Sequence, residues 1–168
     1  MTNKKLNKKL ETDLFSAQPE TVISALKSLK NEGNVHYLPH LFELLNSNPA
    51  ENIEKEIITL LNNLKVSEAA PILAEALTAQ KYKPIRKTLA TACWQNGLEY
   101  KDHFLVFLDL VIEEDWETSF EAFTVIDNME NYPAGEVAEQ ASDKIYLALK
   151  NAGEQKKYFL HEILKMIR

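Results

Sequence analysis

A period of 32 residues is the feature of this sequence that most constrains its fold. Within each period the apolar residues stand three and four positions apart, which is the spacing of one face of an α-helix. The aligned apolar positions are Ala25, Ile57 and Leu89; Leu26, Ile58, Ala90 and Ala122; and Leu29, Leu61, Cys93 and Val125. One pair of helices cannot bury its apolar face alone, so such units stack on one another. The pattern therefore predicts an all-α protein built as an α-solenoid.

The ends of the repeated units are marked by glycines. Gly33 and Gly97 are 64 residues apart, and each follows an apolar stripe at the place where glycine commonly ends a helix. A further set with the 32-residue spacing comprises Leu41, Leu73 and Leu105. The fourth unit departs from the pattern, because the acidic Glu121 stands where the earlier units have apolar residues. We expect a change of register there.

The length and composition agree with a single helical domain. The chain has 168 residues, and its 4 glycines and 6 prolines leave few sites for the sharp turns of a barrel or sandwich. The periodicity predicts nine or ten helices joined by short loops. In the predicted domain, 1–18 form an N-terminal cap helix, 19–130 about four helix pairs, and 131–168 a C-terminal pair that caps the last unit.

The segment from Lys83 to Gly97 resembles the second helix of a HEAT repeat, an armadillo-like family. That helix usually has Pro or Asp, then Val-Arg, then Ala and Leu at helical spacing, then Leu-Gly. Segments 32–45 and 69–73 are similar to the loop and first helix of other units. The resemblance implies a right-handed superhelix whose second helices line a concave face, and a binding role. Arg86 occupies the arginine position, where its guanidinium can hold a carboxylate or loop carbonyl of the neighbouring unit and so stack the repeats.

Negative charge is concentrated in one part of the chain. The net charge is −6 overall, but the segment from Glu99 to Asp143 has 13 acidic residues and a single basic one, Lys101. A field of one sign can steer an oppositely charged partner and raise its association rate. The alternative is a solvated acidic face that only keeps the molecule soluble.

The candidate partner-binding residues lie in and near this acidic segment. They are Trp94, Glu113, Glu114, Asp115, Trp116 and Glu117. Asp115 is a plausible helix N-cap, and Glu117 would favour the positive end of the same helix. Trp116 is either a core residue or, if exposed, a binding anchor, and Trp94 falls at the edge of an apolar stripe. Cys93 aligns with core positions and is expected to be an inert buried thiol.

Several classes of protein are not favoured by the sequence. One cysteine allows neither an internal disulfide nor a cysteine-based zinc site. His36 and His40 lack the His-Glu-x-x-His signature, so no metal ion or cofactor is predicted. No phosphate-binding glycine loop or nucleophile motif occurs, and no segment is long and apolar enough for a membrane span. A cytoplasmic protein that touches neither membrane nor nucleic acid is expected.

The predicted function is that of a non-catalytic protein–protein interaction module that binds its partner through the concave or acidic surface. The acidic segment favours a basic partner. Two alternatives follow from the fold resemblance, a nucleic-acid enzyme of the DNA glycosylase type and an accessory enzyme similar to the bilin lyases. The net charge of −6 disfavours the first, because phosphate binding needs a basic face. Nothing beyond the fold supports the second. The expected state is a monomer or a weak homodimer.

Overall fold

The computed structural model describes residues 7–30 and 35–167, and this part of the protein is all-helical, with no β-strand. Ten α-helices follow one another along it: α1 (Lys8–Leu14), α2 (Pro19–Leu29), α3 (Leu38–Asn46), α4 (Glu51–Asn62), α5 (Ala69–Thr78), α6 (Arg86–Asn96), α7 (Phe104–Glu113), α8 (Trp116–Asp127), α9 (Glu136–Leu149) and α10 (Glu154–Met166). Short 3₁₀ helices, Val35–Tyr37, Gln80–Ile85 and Lys101–His103, precede α3, α6 and α7. The predicted all-α class is confirmed.

Local sequence explains where several helices begin and end. Asn7 caps α1, since its side-chain oxygen accepts hydrogen bonds from the backbone N–H groups of Lys9 and Leu10. Pro19 opens α2, a position where its missing N–H costs nothing. Gly97 ends α6 with a φ of 65°, the left-handed conformation that glycine adopts without a steric penalty. The corresponding prediction for Gly33 lies outside the described residues.

The helices pack in a regular scheme. Each odd-numbered helix contacts the even-numbered helix that follows it. The even-numbered helices also contact one another in order from α2 to α10, and the odd-numbered helices do the same from α1 to α9. One continuous hydrophobic core runs between these two series, from Leu10 near the start of the chain to Ile167 near its end.

Burial follows the 32-residue spacing through the first helices and then moves out of step. Leu29, Leu61 and Cys93 are all buried. In α7, however, Leu105 is only half-buried, and the buried position that corresponds to Leu41 and Leu73 is taken by Phe107, two residues further on. The predicted equivalence of Leu105 with Leu41 and Leu73 is therefore wrong. Each residue turns a helix by about 100°, so a two-residue offset brings a different side of α7 to the core.

The change of register expected at Glu121 is confirmed in α8. Glu121 is half-buried, whereas the next residue, Ala122, is fully buried. The buried positions of α8 lie 33 residues after those of α6: Leu89 is followed by Ala122, and Cys93 by Ile126. The offset turns the carboxylate of Glu121 away from the core and toward α6.

Candidate binding surface

The acidic candidates lie at the junction of α7 and α8, and the structure separates them by accessibility. Glu113 is exposed and has no ion-pair partner among the described residues. Glu114 is largely buried, with its side chain only 11% exposed. A partner cannot reach a carboxylate in that position, so Glu114 is not the surface residue that its neighbours in the sequence suggest. The Glu114 carboxylate makes a contact inside the protein instead.

That internal contact is an ion pair between Glu114 and Arg86 at the start of α6. The Arg86 guanidinium donates to Glu114 Oε1 at 2.5 Å and to the carbonyl oxygen of Thr78 at 3.4 Å. Both charged side chains are 11% exposed, and among the described residues the Nε of Arg86 has no acceptor. Arg86 thus joins a carboxylate of the following helix pair to a carbonyl of its own pair.

The backbone carbonyls at this junction hold two further side chains. Lys156 Nζ, from α10, donates to the carbonyl oxygens of Ile112 and Glu114, and its burial there lowers its pKa. Ser119 Oγ, fully buried in α8, lies 3.1 Å from the carbonyl oxygens of Val111 and Glu114. These bonds satisfy carbonyls at the C-terminal end of α7 that have no partner within the helix. Neither residue stood out in the sequence.

Asp115 is the N-cap of α8, and Glu117 lies in the first turn of the helix. Asp115 Oδ1 accepts a hydrogen bond from the backbone N–H of Thr118 at 2.9 Å, and this bond lowers the pKa of the carboxyl. The predicted N-cap is confirmed. Glu117 is exposed and pairs with Lys87 of α6 at 2.5 Å. Both carboxylates therefore have structural roles, although both stay accessible.

Trp116 is packed on one side and exposed on the other. One face of its ring stacks on the ring of Phe159 from α10, with centroids 4.9 Å apart and planes 9° apart, while 42% of the residue stays exposed. Phe123 stacks on Phe159 as well, at 4.6 Å. Phe159 itself is buried, and the rings of Trp116 and Phe123 pack against it.

Two more rings complete the exposed aromatic surface, which we call the α8–α10 surface (Trp116, Phe120 and Tyr158). Phe120 is 47% exposed and Tyr158 is 61% exposed. Their centroids lie 6.2 and 6.1 Å from that of Phe159. Phe120 is one of several apolar residues at helical spacing in this part of the sequence, and the sequence does not show that its ring stays exposed. The signal that could have found it is the spacing of four residues between Trp116 and Phe120, which puts both rings on one side of α8.

Trp94 is not part of the α8–α10 surface. It is half-buried on α6, and its Nε1 donates to Glu121 Oε2 at 2.7 Å. The neighbouring Cys93 is fully buried, and burial raises the pKa of its thiol to about 12. A thiol with that pKa is almost entirely protonated at neutral pH and is a poor nucleophile.

Most of the acidic segment is not neutralised by neighbouring helices. Three of its 13 carboxylates have ion-pair partners, and the partners of Asp109, Glu114 and Glu117 are Lys144, Arg86 and Lys87. The remaining carboxylates of the segment have no such partner among the described residues. Within and beside α8, Glu113 and Asp127 are exposed carboxylates without an ion-pair partner among the described residues.

The described residues contain no group of three or more His, Cys, Asp or Glu side chains that could hold a metal ion. His40 lies 3.3 Å from the carboxylate of Glu11, and its ring meets that of Phe15 edge to face. Within the part of the chain that is described, no helix combines the length and the apolar character needed to cross a bilayer.

Comparison of the chain with models of protein families, with curated proteins and with solved structures finds no match. The likeness to HEAT repeats rests on the sequence segments quoted above.

Proposed function

We propose that this protein is a non-catalytic interaction module that binds a basic segment of a partner protein on the α8–α10 surface. The observation that carries the proposal is the pair of exposed rings, Trp116 and Phe120, around the buried ring of Phe159. Large aromatic side chains dominate the binding energy of protein interfaces, especially where they are already held in place. Phe159 holds Trp116 in this way.

Charge is the argument for a basic partner. Glu113 and Glu117 are exposed near the N-terminal end of α8, close in sequence to Trp116. A lysine or arginine of the partner can meet the unpaired Glu113, or compete with the exposed Lys87 for Glu117, and also lie over an indole or phenyl face, a cation–π contact. Complementary charge would mainly raise the association rate and the specificity, while the rings would supply the affinity.

We also infer that the helix pairs form a short HEAT-like solenoid. The two series of contacts, even-numbered with even-numbered and odd-numbered with odd-numbered helices, support this inference. The 32-residue spacing of Leu29, Leu61 and Cys93, all buried, supports it as well. In that arrangement α8 and α10 belong to the layer of second helices, the layer that binds partners in proteins of this kind.

The first experiment uses Trp116 as a reporter. The chain has two tryptophans, so Trp94→Phe leaves Trp116 alone. We expect its fluorescence to change on titration with a peptide that alternates arginine and leucine. The same peptide with glutamate in place of arginine should have no effect. Binding should weaken as the salt concentration rises, because the contacting charges are exposed.

Variants then locate the binding site, with anisotropy of the labelled basic peptide as the measurement. Trp116→Ala with Phe120→Ala should weaken binding by about tenfold or more. Phe15→Ala is the matched control, because Phe15 is also an exposed ring, 50% accessible, but lies just after α1. Equal loss in the control and the double variant would show that the peptide is not bound on the α8–α10 surface.

A second pair of variants tests the charge. Glu113→Lys with Glu117→Lys should weaken binding, whereas Glu20→Lys with Glu75→Lys, two exposed carboxylates on α2 and α5, should not. Unchanged binding in the first pair would remove the acidic residues from the proposal. Sedimentation gives a further check, since a stable dimer of the unmodified chain that Trp116→Ala dissociates would identify a second copy as the occupant.

A further inference from the structure

A cavity of about 700 Å³ lies at the other end of the molecule, where the C-terminal ends of α2 and α4 meet the start of α3. Its size falls in the range of small-molecule sites. Most of its wall is aliphatic and comprises Leu26, Leu29, Leu38, Leu41, Leu60 and Leu64. Leu26, Leu38 and Leu41 are buried core residues that form the base of the cavity, and the half-buried Leu60 and Leu64 supply more of the wall that a ligand can reach.

The charged residues of this cavity are mostly of one sign. Among the described residues that line it, Lys27, Lys30 and Lys65 are basic, and Glu56 is the single acidic residue. Lys65 is held by a hydrogen bond from its Nζ to the carbonyl oxygen of Asn96 at 3.0 Å. The three lysines are exposed, whereas the leucines are buried or half-buried. An apolar interior with a cationic rim therefore faces any ligand that enters.

We propose that this cavity binds a free aliphatic carboxylate, a molecule of the fatty-acid type, with its chain against the leucines and its carboxylate near Lys27 and Lys30. Burial of each methylene against an aliphatic wall is favourable, because it removes apolar surface from water. The lysines select the sign of the head group, since an alkylammonium would meet like charge. This site shares no residue with the α8–α10 surface, so the inference does not rest on the proposed function.

The test is calorimetric titration of the full chain with dodecanoate, dodecanol and dodecylammonium, each below the concentration at which it forms micelles. We expect dodecanoate to bind about tenfold more tightly than dodecanol, and dodecylammonium to bind least. Equal affinity for dodecanoate and dodecylammonium would overturn the proposal. So would binding to vesicles of phosphatidylglycerol with none to monomeric dodecanoate, because the ligand would then be a lipid surface.

Substitutions at the rim separate ligand binding from folding. Lys27→Gln with Lys30→Gln should abolish the preference for dodecanoate over dodecanol and leave dodecanol binding unchanged. Lys55→Gln is the matched control, since Lys55 is an exposed lysine of α4 that pairs with Glu51 and does not line the cavity. A preference that survives the double substitution, or is lost equally in the control, would contradict the assignment.

Two further variants act in opposite directions. Glu56→Gln removes the one carboxylate of the described lining and should raise the affinity for dodecanoate about threefold, a gain that damage to the fold would not produce. Leu64→Trp fills the cavity and should abolish binding of both dodecanoate and dodecanol while circular dichroism stays unchanged. Leu60→Trp serves the same purpose if the first tryptophan variant does not fold. Full binding in a folded tryptophan variant would place the ligand elsewhere.

Discussion

The N-terminal helices α2 to α4 surround an apolar cavity with lysines at its rim, whereas α8 and α10 present aromatic rings on an outer face near carboxylates. The same scheme of helix contacts runs through both regions. The difference therefore lies in side chains rather than in the arrangement of the backbone. Packing constrains the inward positions of stacked helices, and the outward and end positions are free to vary in chemistry from one pair to the next.

The largest effect should come from the ring beneath the α8–α10 surface. Phe159→Ala should lower the free energy of unfolding by about 3–5 kcal/mol, the usual range for a buried phenylalanine. It should also abolish binding of the basic peptide, because Trp116 and Phe123 stack on that ring. Urea denaturation and peptide anisotropy measure the two effects.

Phe42→Ala is the matched variant in the N-terminal half. Phe42 is buried and meets Tyr82 edge to face at 5.8 Å. Its loss should cost a similar free energy of unfolding but leave peptide binding intact under conditions where the variant is folded. Loss of binding in both variants would mean that the two regions do not act separately.

Breaking the ion pair between Arg86 and Glu114 should have the second largest effect on the free energy of unfolding. Arg86→Ala leaves a buried carboxylate without its partner and should cost about 3 kcal/mol in the free energy of unfolding. Lys87→Ala breaks the adjacent exposed pair with Glu117 and should cost less than about 1 kcal/mol. Urea denaturation of the two variants compares a buried with an exposed ion pair, each of which joins the start of α6 to the junction of α7 and α8. Equal costs would show that the burial of Arg86 is not what matters.

Replacing Asn96 should have the next largest effect on stability, because Asn96 connects α6 with α4 and with the turn after α6. It is buried, its amide donates to the carbonyl oxygen of Leu61 at 3.5 Å, and its Oδ1 accepts from the backbone N–H of Leu98 and the hydroxyl of Tyr100. Asn96→Ala should cost about 2 kcal/mol in the free energy of unfolding, because buried groups lose their partners. Asn128→Ala, which removes an exposed bond within α8, is the control and should cost little.

The smallest predicted effect is at Asp115 and depends on pH. The folded pKa of this carboxyl lies below its usual value of 3.8, because it accepts the N–H of Thr118. Its contribution is therefore complete above pH 3.8 and is lost as the pH falls through the lower folded pKa. Asp115→Ala should cost about 1 kcal/mol at neutral pH. Asp115→Asn should keep the cap but remove this pH dependence, and thermal denaturation between pH 2 and 7 tests both.

Helix content and the spacing of the first three units were predictable because each depends on residues close together in sequence or related by a constant step. Leu29, Leu61 and Cys93 are buried as the period requires. The offsets in α7 and α8 were only partly predictable. The acidic Glu121 at an apolar position indicated the change of register in α8. In α7, the shift of two residues that buries Phe107 in place of Leu105 depends on how the helix is rotated against its neighbours.

The candidate site shows the same division. Asp115 could be identified as an N-cap, because capping is a matter of three neighbouring residues. Glu114 could not be separated from Glu113, since only the position of Arg86 on another helix decides which carboxylate is buried. Phe120 and Phe159 are both phenylalanines at helical apolar spacing, and the sequence does not distinguish which of them is buried. The structure leaves one exposed and covers the other.

By itself, the sequence determined that this protein is helical, where most of its helices lie and that its negative charge is concentrated in one segment. Those properties follow from local periodicity, capping and a count of charges. Only the tertiary structure decided which rings are exposed, which carboxylates are paired and where a cavity stays open. These outcomes depend on contacts between residues far apart in the chain, and no constant spacing encodes them.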